Sequence, residues 1–166
     1  MNETALQMQS DFLPLIISII LSFLLATFHY EVLSFLTTKV ASLKQVRQTR
    51  LLFTILIISF SHILSAFAYS LLYYAMDNHW GMGSLIVQNS DVVHTFTIYD
   101  YFYYSLTVYT SLGFGDITPT GGLRILSGLE TMNGLMMITW SASYTYIIMT
   151  RHIDMKNSRT EEHRHD

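Results

Sequence analysis

The sequence contains no cysteine, and that single absence removes a disulfide framework, a zinc–thiolate centre and a thiol nucleophile together. Charge is scarce as well. Asp, Glu, Lys and Arg make up 13% of the 166 residues, about half the share usual in soluble domains. Hydrophobic residues supply 51%, and the mean hydropathy is +0.34. A water-soluble globule needs more charge than this to cover its surface, so the chain reads as a membrane protein. Its net charge of −3 leaves no basic face for a nucleic acid. There is no carboxylate pair, no His-rich metal spacing and no serine elbow, so neither an enzyme nor a small-molecule substrate is expected. No arginine recurs at every third position, which excludes a voltage sensor. The first residues lack a basic region, so a cleaved signal is not expected.

What is present is a set of apolar runs set between basic patches. Lys39, Lys44, Arg47 and Arg50 form one patch, with no acid between Glu31 and Asp77, and Arg151, Lys156, Arg159 and Arg164 form another. Crossing ~30 Å of hydrocarbon takes about 20 helical residues. Phe12 to Tyr30 has no formal charge and its apolar pattern runs on to Leu36; Leu51 to Met76 is equally free, and Ile125 to Thr150 is broken only by Glu130. An all-α membrane fold with three transmembrane helices is expected. Basic loops stay in the cytoplasm. That rule puts the loop 37–50 and the tail 151–166 inside, and the N-terminal 1–11, with Glu3 and Asp11, outside. The stretch from Asp77 to about Leu123 is outside too, and its four acids stand against Arg124 alone. The tail is too short for a ligand-binding domain.

The outer stretch divides in two. Residues 77–96, with Asn78, Gly81, Gly83, Asn89 and Ser90, read as an irregular exposed segment. Thr97 followed by Asp100 then fits a capping box, which starts a helix over 97–110. At ~1.5 Å per residue that helix reaches roughly 20 Å and cannot span a bilayer. Two readings are open at this point: a helix that dips in and returns, or an interfacial aromatic helix at headgroup level, where tyrosines are favoured.

Thr110-Ser111-Leu112-Gly113-Phe114-Gly115-Asp116 follows, then Ile117-Thr118-Pro119, then an apolar helix from Leu123 with Gly134 midway. This order resembles the pore helix, TVGYG-like filter and inner helix of the tetrameric potassium-channel family, over roughly residues 97–150. The resemblance implies a pore domain over 51–150, with an outer helix 51–76, an outer loop 77–96, a pore helix 97–110, a filter 111–116 and an inner helix 123–150. Residues 12–36 are left as a peripheral helix outside the family core. In such a filter, rings of backbone carbonyls replace the hydration shell of the ion. The alternate residues need left-handed dihedrals, which glycine accepts cheaply, and Gly113 and Gly115 stand two apart. The resemblance assigns potassium coordination to Ser111, Leu112, Gly113, Phe114 and Gly115. It sets Asp116 at the outer mouth, where a carboxylate concentrates cations, and makes Gly134 the hinge of the inner helix. One chain offers one filter strand, so a homotetramer in lipid is implied, with potassium as permeant ion and no cofactor. The implied location is a plasma membrane, a bacterial inner membrane in particular.

Ser111, Leu112 and Phe114 depart from Thr, Val and Tyr. Phe114 cannot donate the hydrogen bond with which a tyrosine braces the filter. Glu130 is expected in that bracing role, buried against the pore helix through Thr107 or the Tyr109 hydroxyl. On a wheel of about 100° per residue, Thr131, Leu135, Ile138, Ala142 and Tyr146 share a face assigned to the cavity, with Tyr146 as the inner constriction. Ser18, Ser22 and Ala26, with Ser61 and Ser65, have the small-residue spacing of close helix contacts, so the first span is expected on the second. His62 reads as a neutral packing residue, His29 and Glu31 as snorkelling to the interface, and His163 and His165 as a solvated tail. The tyrosines around 99–109 read as packing and headgroup residues. Three functions follow: a passive potassium-selective channel, a poorly selective monovalent cation channel of the same fold, or a non-conducting scaffold or partner subunit.

Overall fold

The computed structural model describes residues 3–40, 47–88 and 95–162, with side chains at 12–38, 49–88 and 95–150. It is mostly helical. Helix α1 spans Glu3–Phe35 and passes into a π-helical turn at Leu36–Val40; α2 spans Arg47–Asn78, α3 Ile98–Tyr109 and α4 Leu123–Glu162. Strands β1 (Leu85–Val87) and β2 (Ile117–Pro119) lie on either side of α3 in the chain and pair antiparallel, with Ile86 opposite Thr118.

Among the described residues, two stretches are long and apolar enough to cross a bilayer, Phe12–Thr38 and Thr49–Asn78. Their polarity is turned inside out. Ser18, His29, Thr54, Ser61, Ser65 and Ser70 are buried, while Phe23, Leu24, Leu56 and Phe60 are exposed. A soluble core does the reverse; hydrocarbon outside and hydrogen-bonded polar groups within suit a membrane helix. Helix α4 is not among the two stretches, because Ser127, Glu130, Thr131, Asn133 and Ser141 dilute its apolar run. The third crossing expected over 125–150 does not stand on hydropathy.

The core lies between α2, α3 and α4. Tyr69, Tyr73 and Met76 come from α2, Tyr101, Tyr104 and Val108 from α3, and Leu123 and Leu126 from α4. Spacings of three and four place each set on one helical face. A smaller cluster of Leu33, Leu36 and Ile58 joins α1 to α2, with Tyr144 of α4 against it.

Several expectations change here. Residues 3–11 are helical and continuous with α1, and α4 runs past Thr150 to Glu162. The loop 77–96 is not wholly irregular. Asp77 and Asn78 close α2, and Leu85-Ile86-Val87, an apolar trio with two β-branched residues, forms β1 with Leu85 buried. The flanking glycines masked that signal. Asn89, Ser90, Lys44, His163 and His165 lie outside the described residues. Helix α1, expected on α2, lies more extensively against α4. The reason is local: Ser18 and Ser61 turn their hydroxyls onto Pro14 O at 2.6 Å and Ile58 O at 2.7 Å of their own helices. Ser22 is the residue of that stripe that reaches α2, at 2.7 Å from the Tyr69 hydroxyl.

Candidate functional site

Helix α3 begins where its sequence provides a cap. The Asp100 carboxylate accepts from the Thr97 N–H at 2.7 Å and from the Thr97 hydroxyl at 2.8 Å, so the first turn closes on itself. At the other end the chain folds back under the last turn. Ser111 N–H donates to Val108 O at 2.9 Å, and the N–H groups of Leu112 and Gly113 both donate to Thr107 O, at 2.8 and 3.1 Å. From there the sign of φ alternates: +58° at Ser111, +49° at Gly113 and +81° at Gly115, with Leu112 and Phe114 negative between them. In a β-strand every φ is negative and carbonyls point alternately to opposite sides. Reversing φ at every second residue breaks that alternation and brings carbonyls toward a common side. No atom crowds the place a β-carbon would take at Gly113 or Gly115, so the positive φ alone calls for glycine there. Ser111 adopts the same region with a side chain, at a cost of roughly 1–2 kcal/mol. All of 111–116 is exposed on the single chain, including the large apolar Leu112 and Phe114.

The exit of this segment is tied down. Asp116, expected at the outer mouth, accepts a hydrogen bond from the Tyr103 hydroxyl at 2.8 Å. The Tyr103 ring also stacks on Phe114, with centroids 6.4 Å apart and planes 8° from parallel. Gln88 N–H donates to Asp116 O at 2.8 Å, continuing the β1–β2 ladder. Bonding to Asp116 holds the Tyr103 phenol above its ordinary pKa. At the start of α3, burial and then the bond to Asp77 raise Tyr101; its hydroxyl donates to that carboxylate at 2.8 Å. These tyrosines, expected as packing and headgroup residues, also hydrogen-bond carboxylates, and the contact of Tyr103 with Asp116 is one that sequence reasoning missed. Thirteen residues separate Tyr103 from Asp116, a spacing that carries no signal.

Glu130 is fully buried between α3 and α2. Its Oε1 lies 2.6 Å from the Ser105 hydroxyl and its Oε2 accepts from the Tyr73 hydroxyl at 2.7 Å. Ser105 is also 2.6 Å from Ala66 O, and the Tyr104 and Tyr73 hydroxyls meet Ser127 at 2.8 and 3.0 Å. The expected partners are engaged elsewhere. Thr107 donates to Tyr104 O at 2.8 Å, and the Tyr109 hydroxyl is 3.0 Å from His62 Nδ1. Thr107 stands about 200° round the helix from Ser105, so both cannot face Glu130. Tyr109 lies one turn further on, opposite Gly134 instead. A β-carbon at Gly134 would fall 2.1 Å from the Tyr109 carbonyl oxygen. Gly134, expected as a hinge, sits in an unbroken helix and is required there by close packing.

On α4, the Thr131 hydroxyl lies 3.1 Å from Val108 O and 2.9 Å from Ser127 O, and its one hydrogen serves either carbonyl. Leu135, Ile138, Ala142 and Tyr146 are exposed, whereas Asn133, Met137 and Ser141 are buried against the other helices. The four share their exposure with Met132, Met136 and Ser143.

His29 does not snorkel. It is 1% exposed, with Nε2 at 2.9 Å from Ser141 Oγ and Nδ1 at 3.3 Å from Ser61 Oγ, because serines on two facing helices supply partners inside. Glu31, two residues on, is exposed. His62 Nε2 reaches the same Ser141 Oγ at 3.0 Å, and the two rings are 5.0 Å apart. Among the described residues, no group of three or more His, Asp and Glu is placed to hold a metal ion.

Residues 56–151 match a family described as an ion channel. The chain belongs to the ion channel family. The matched region takes in most of α2, the paired strands, α3, the alternating segment and α4 to Arg151, and leaves α1 outside. No curated protein and no solved structure matches the chain. The activity that goes with an ion channel is transport across a membrane rather than catalysis.

Proposed function

We propose that the protein is a passive, potassium-selective channel formed by four copies around an axis, each giving the carbonyls of Ser111, Leu112, Gly113, Phe114 and Gly115 to a common filter. The alternation of positive φ at 111, 113 and 115, directly after a short capped helix, is the observation that carries this reading. One such strand cannot surround a cation. Fourfold repetition supplies rings of oxygens, and it would also cover Leu112 and Phe114. The negative end of the α3 dipole points toward the region before Ser111, where a cation is favoured.

In this reading α4 makes the third crossing, with Leu135, Ile138 and Ala142 toward the cavity and Tyr146 constricting its inner end. The basic loop 37–50 and the tail face the cytoplasm of a bacterial cell, and α1 lies at the periphery. The Tyr103–Asp116 bond and the Tyr103–Phe114 stack take over the bracing that Phe114 cannot provide by a hydroxyl. A poorly selective cation channel is the competing reading, favoured by Ser111, which lacks the methyl that fixes a threonine rotamer.

The test is potassium and sodium flux into liposomes holding the purified protein, with Gly113→Ala as control. Potassium flux well above sodium flux, lost in Gly113→Ala while the protein still folds, is expected. Equal fluxes favour the competing reading, and undisturbed potassium flux in Gly113→Ala removes 111–115 from the filter. Native mass spectrometry in detergent should show four copies; a conducting monomer or dimer overturns the assembly.

A further inference from the structure

Buried His29 and half-buried His62 are not needed to conduct an ion, yet they join all four helices. His29 comes from α1, His62 from α2, Tyr109 from the end of α3 and Ser141 from α4. One assignment of the hydrogens links them consistently. Ser141 Oγ has one hydrogen and lies 2.9 Å from Met137 O, 2.9 Å from His29 Nε2 and 3.0 Å from His62 Nε2. With its hydrogen on Met137 O, it accepts from both rings, so each neutral imidazole carries its proton on Nε2 and leaves Nδ1 bare. His62 Nδ1 then accepts from the Tyr109 hydroxyl at 3.0 Å. His29 Nδ1 faces Ser61 Oγ at the longer 3.3 Å.

We infer that the His29–Ser141–His62–Tyr109 chain is a proton-binding site that couples pH to conduction, and this rests on the reading of 111–115 as the filter. A proton taken up by His62 goes to Nδ1, its one bare nitrogen. The Tyr109 hydroxyl must then turn its hydrogen away and accept instead. Tyr109 is two residues before Ser111, and its carbonyl packs on Gly134, so a disturbance there reaches both the filter entry and α4. Two imidazolium ions with ring centroids 5.0 Å apart also repel, which drives α1 and α2 apart.

The surrounding groups do not offset such a charge. From α2, Tyr69 has its ring 6.5 Å from Tyr109, but its hydroxyl is engaged by Ser22 and Asn133. From α4, Glu130 stands ~16 Å up the helix from Ser141, with both oxygens held by Ser105 and Tyr73. The neutral chain therefore holds the packed arrangement and the protonated one loosens it.

Trp140 provides a readout that needs no conduction, since its ring lies 5.9 Å from that of His29. In the full chain carrying Trp80→Phe, Trp140 emission is followed from pH 8 to pH 4 in liposomes, and potassium flux is measured at the same values. Emission should titrate, and flux should fall about fivefold or more toward acid, the size of an ordinary coupling between sites. In His29→Gln and in His62→Gln, each a polar side chain without a titrating nitrogen, both pH profiles should flatten while flux at pH 8 stays within about twofold. Using both variants keeps the test valid if one fails to fold. A flat Trp140 profile in the parent overturns the proton site, as does a profile unchanged in both variants. Titrating emission with pH-independent flux overturns the coupling. No potassium flux at any pH, with emission still titrating, refutes the filter reading and the coupling with it, and leaves the proton site standing.

Discussion

Replacing Glu130 tests how the interior of the protein is wired. Ser105 Oγ carries one hydrogen, yet lies 2.6 Å from both Ala66 O and Glu130 Oε1. Two acceptors at that distance cannot share one hydrogen, so the count closes only if Glu130 carries a proton and donates it to Ser105, which donates to Ala66 O. Tyr73 then donates to Oε2. A glutamine can copy this pattern, its amide N–H₂ donating to Ser105 and its oxygen accepting from Tyr73. Glu130→Gln should therefore change stability by no more than about 0.5 kcal/mol per chain, like a benign replacement. Glu130→Leu keeps the volume and loses both hydrogen bonds. At a net 0.5–1.5 kcal/mol each, the loss is about 1–3 kcal/mol per chain. Ser105 keeps Ala66 O and Tyr73 keeps Ser127, which holds the figure to the net value of the bonds and adds no penalty for orphaned groups. A buried ionised carboxylate would behave otherwise, since an apolar replacement of a buried charge is often neutral or stabilising by about 1–4 kcal/mol. Thermal and denaturant unfolding of the three proteins in detergent, followed by circular dichroism, ranks them. Leucine equal to or above the parent, or glutamine below leucine, refutes the protonated arrangement.

Gly134→Ala puts a methyl 2.1 Å from the Tyr109 carbonyl oxygen, a backbone atom that cannot swing aside; unfolding should show a loss of about 1–3 kcal/mol or more, whereas a purely hinge-like role would leave stability intact. Because the protein has no cysteine, a thiol reagent applied from the cytoplasmic side should modify Ala142→Cys and block flux. It should leave Ser141→Cys unreacted, since Ser141 is buried among helices, and the reverse result would refute the cavity face. Tyr103→Phe keeps the stack on Phe114 and frees Asp116, so potassium-over-sodium selectivity should fall at neutral pH with little change in unfolding. The raised Tyr103 phenol fixes the sign of the pH effect: its bond to Asp116 is fully present below the ordinary phenol value of about 10 and is lost as pH rises through the raised value. The parent should therefore match Tyr103→Phe only in strong alkali.

Much of the helical outline was legible because local signals agreed. Uncharged runs with few breakers mark α1 and α2, and Thr97 with Asp100 marks the start of α3. The glycine pair marks the positions where φ turns positive. What was not legible depends on which side chains a fold brings level. Thr107 and Tyr109 looked as suitable as Ser105 for Glu130, because no sequence rule sets the height of α4 against α3. That height is set by Gly134 under the Tyr109 carbonyl. His29 looked interfacial because it stands near charged residues in the chain, and only the position of Ser141, 112 residues away, gives it a partner inside. Strand β1 was hidden because an isolated apolar trio is weak evidence until its partner, directly after the alternating segment, is known.

The bonding of α3 explains why so many polar residues occupy helices whose outer faces are apolar. Within hydrocarbon, burying apolar area no longer holds helices together, because lipid tails are as apolar as leucine. A short helix that does not cross the bilayer has the further problem that nothing fixes its depth. Here α3 is tied at three heights. Tyr101 bonds Asp77 near its start, Ser105 meets Glu130 and Ala66 O in its middle, and Tyr109 bonds His62 at its end. Each tie joins a residue of α3 to a different level of α2 or α4, so a shift by one turn would break all three together. Single ties of this kind are worth only about 0.6–2 kcal/mol in membranes. Three of them acting on one register make a slipped α3 improbable, and the alternating segment that follows inherits that fixed starting height. Apolar replacements at all three levels would keep the burial and lose the register, so beyond what each tie adds to stability the polar interior sets the position of the segment at Ser111.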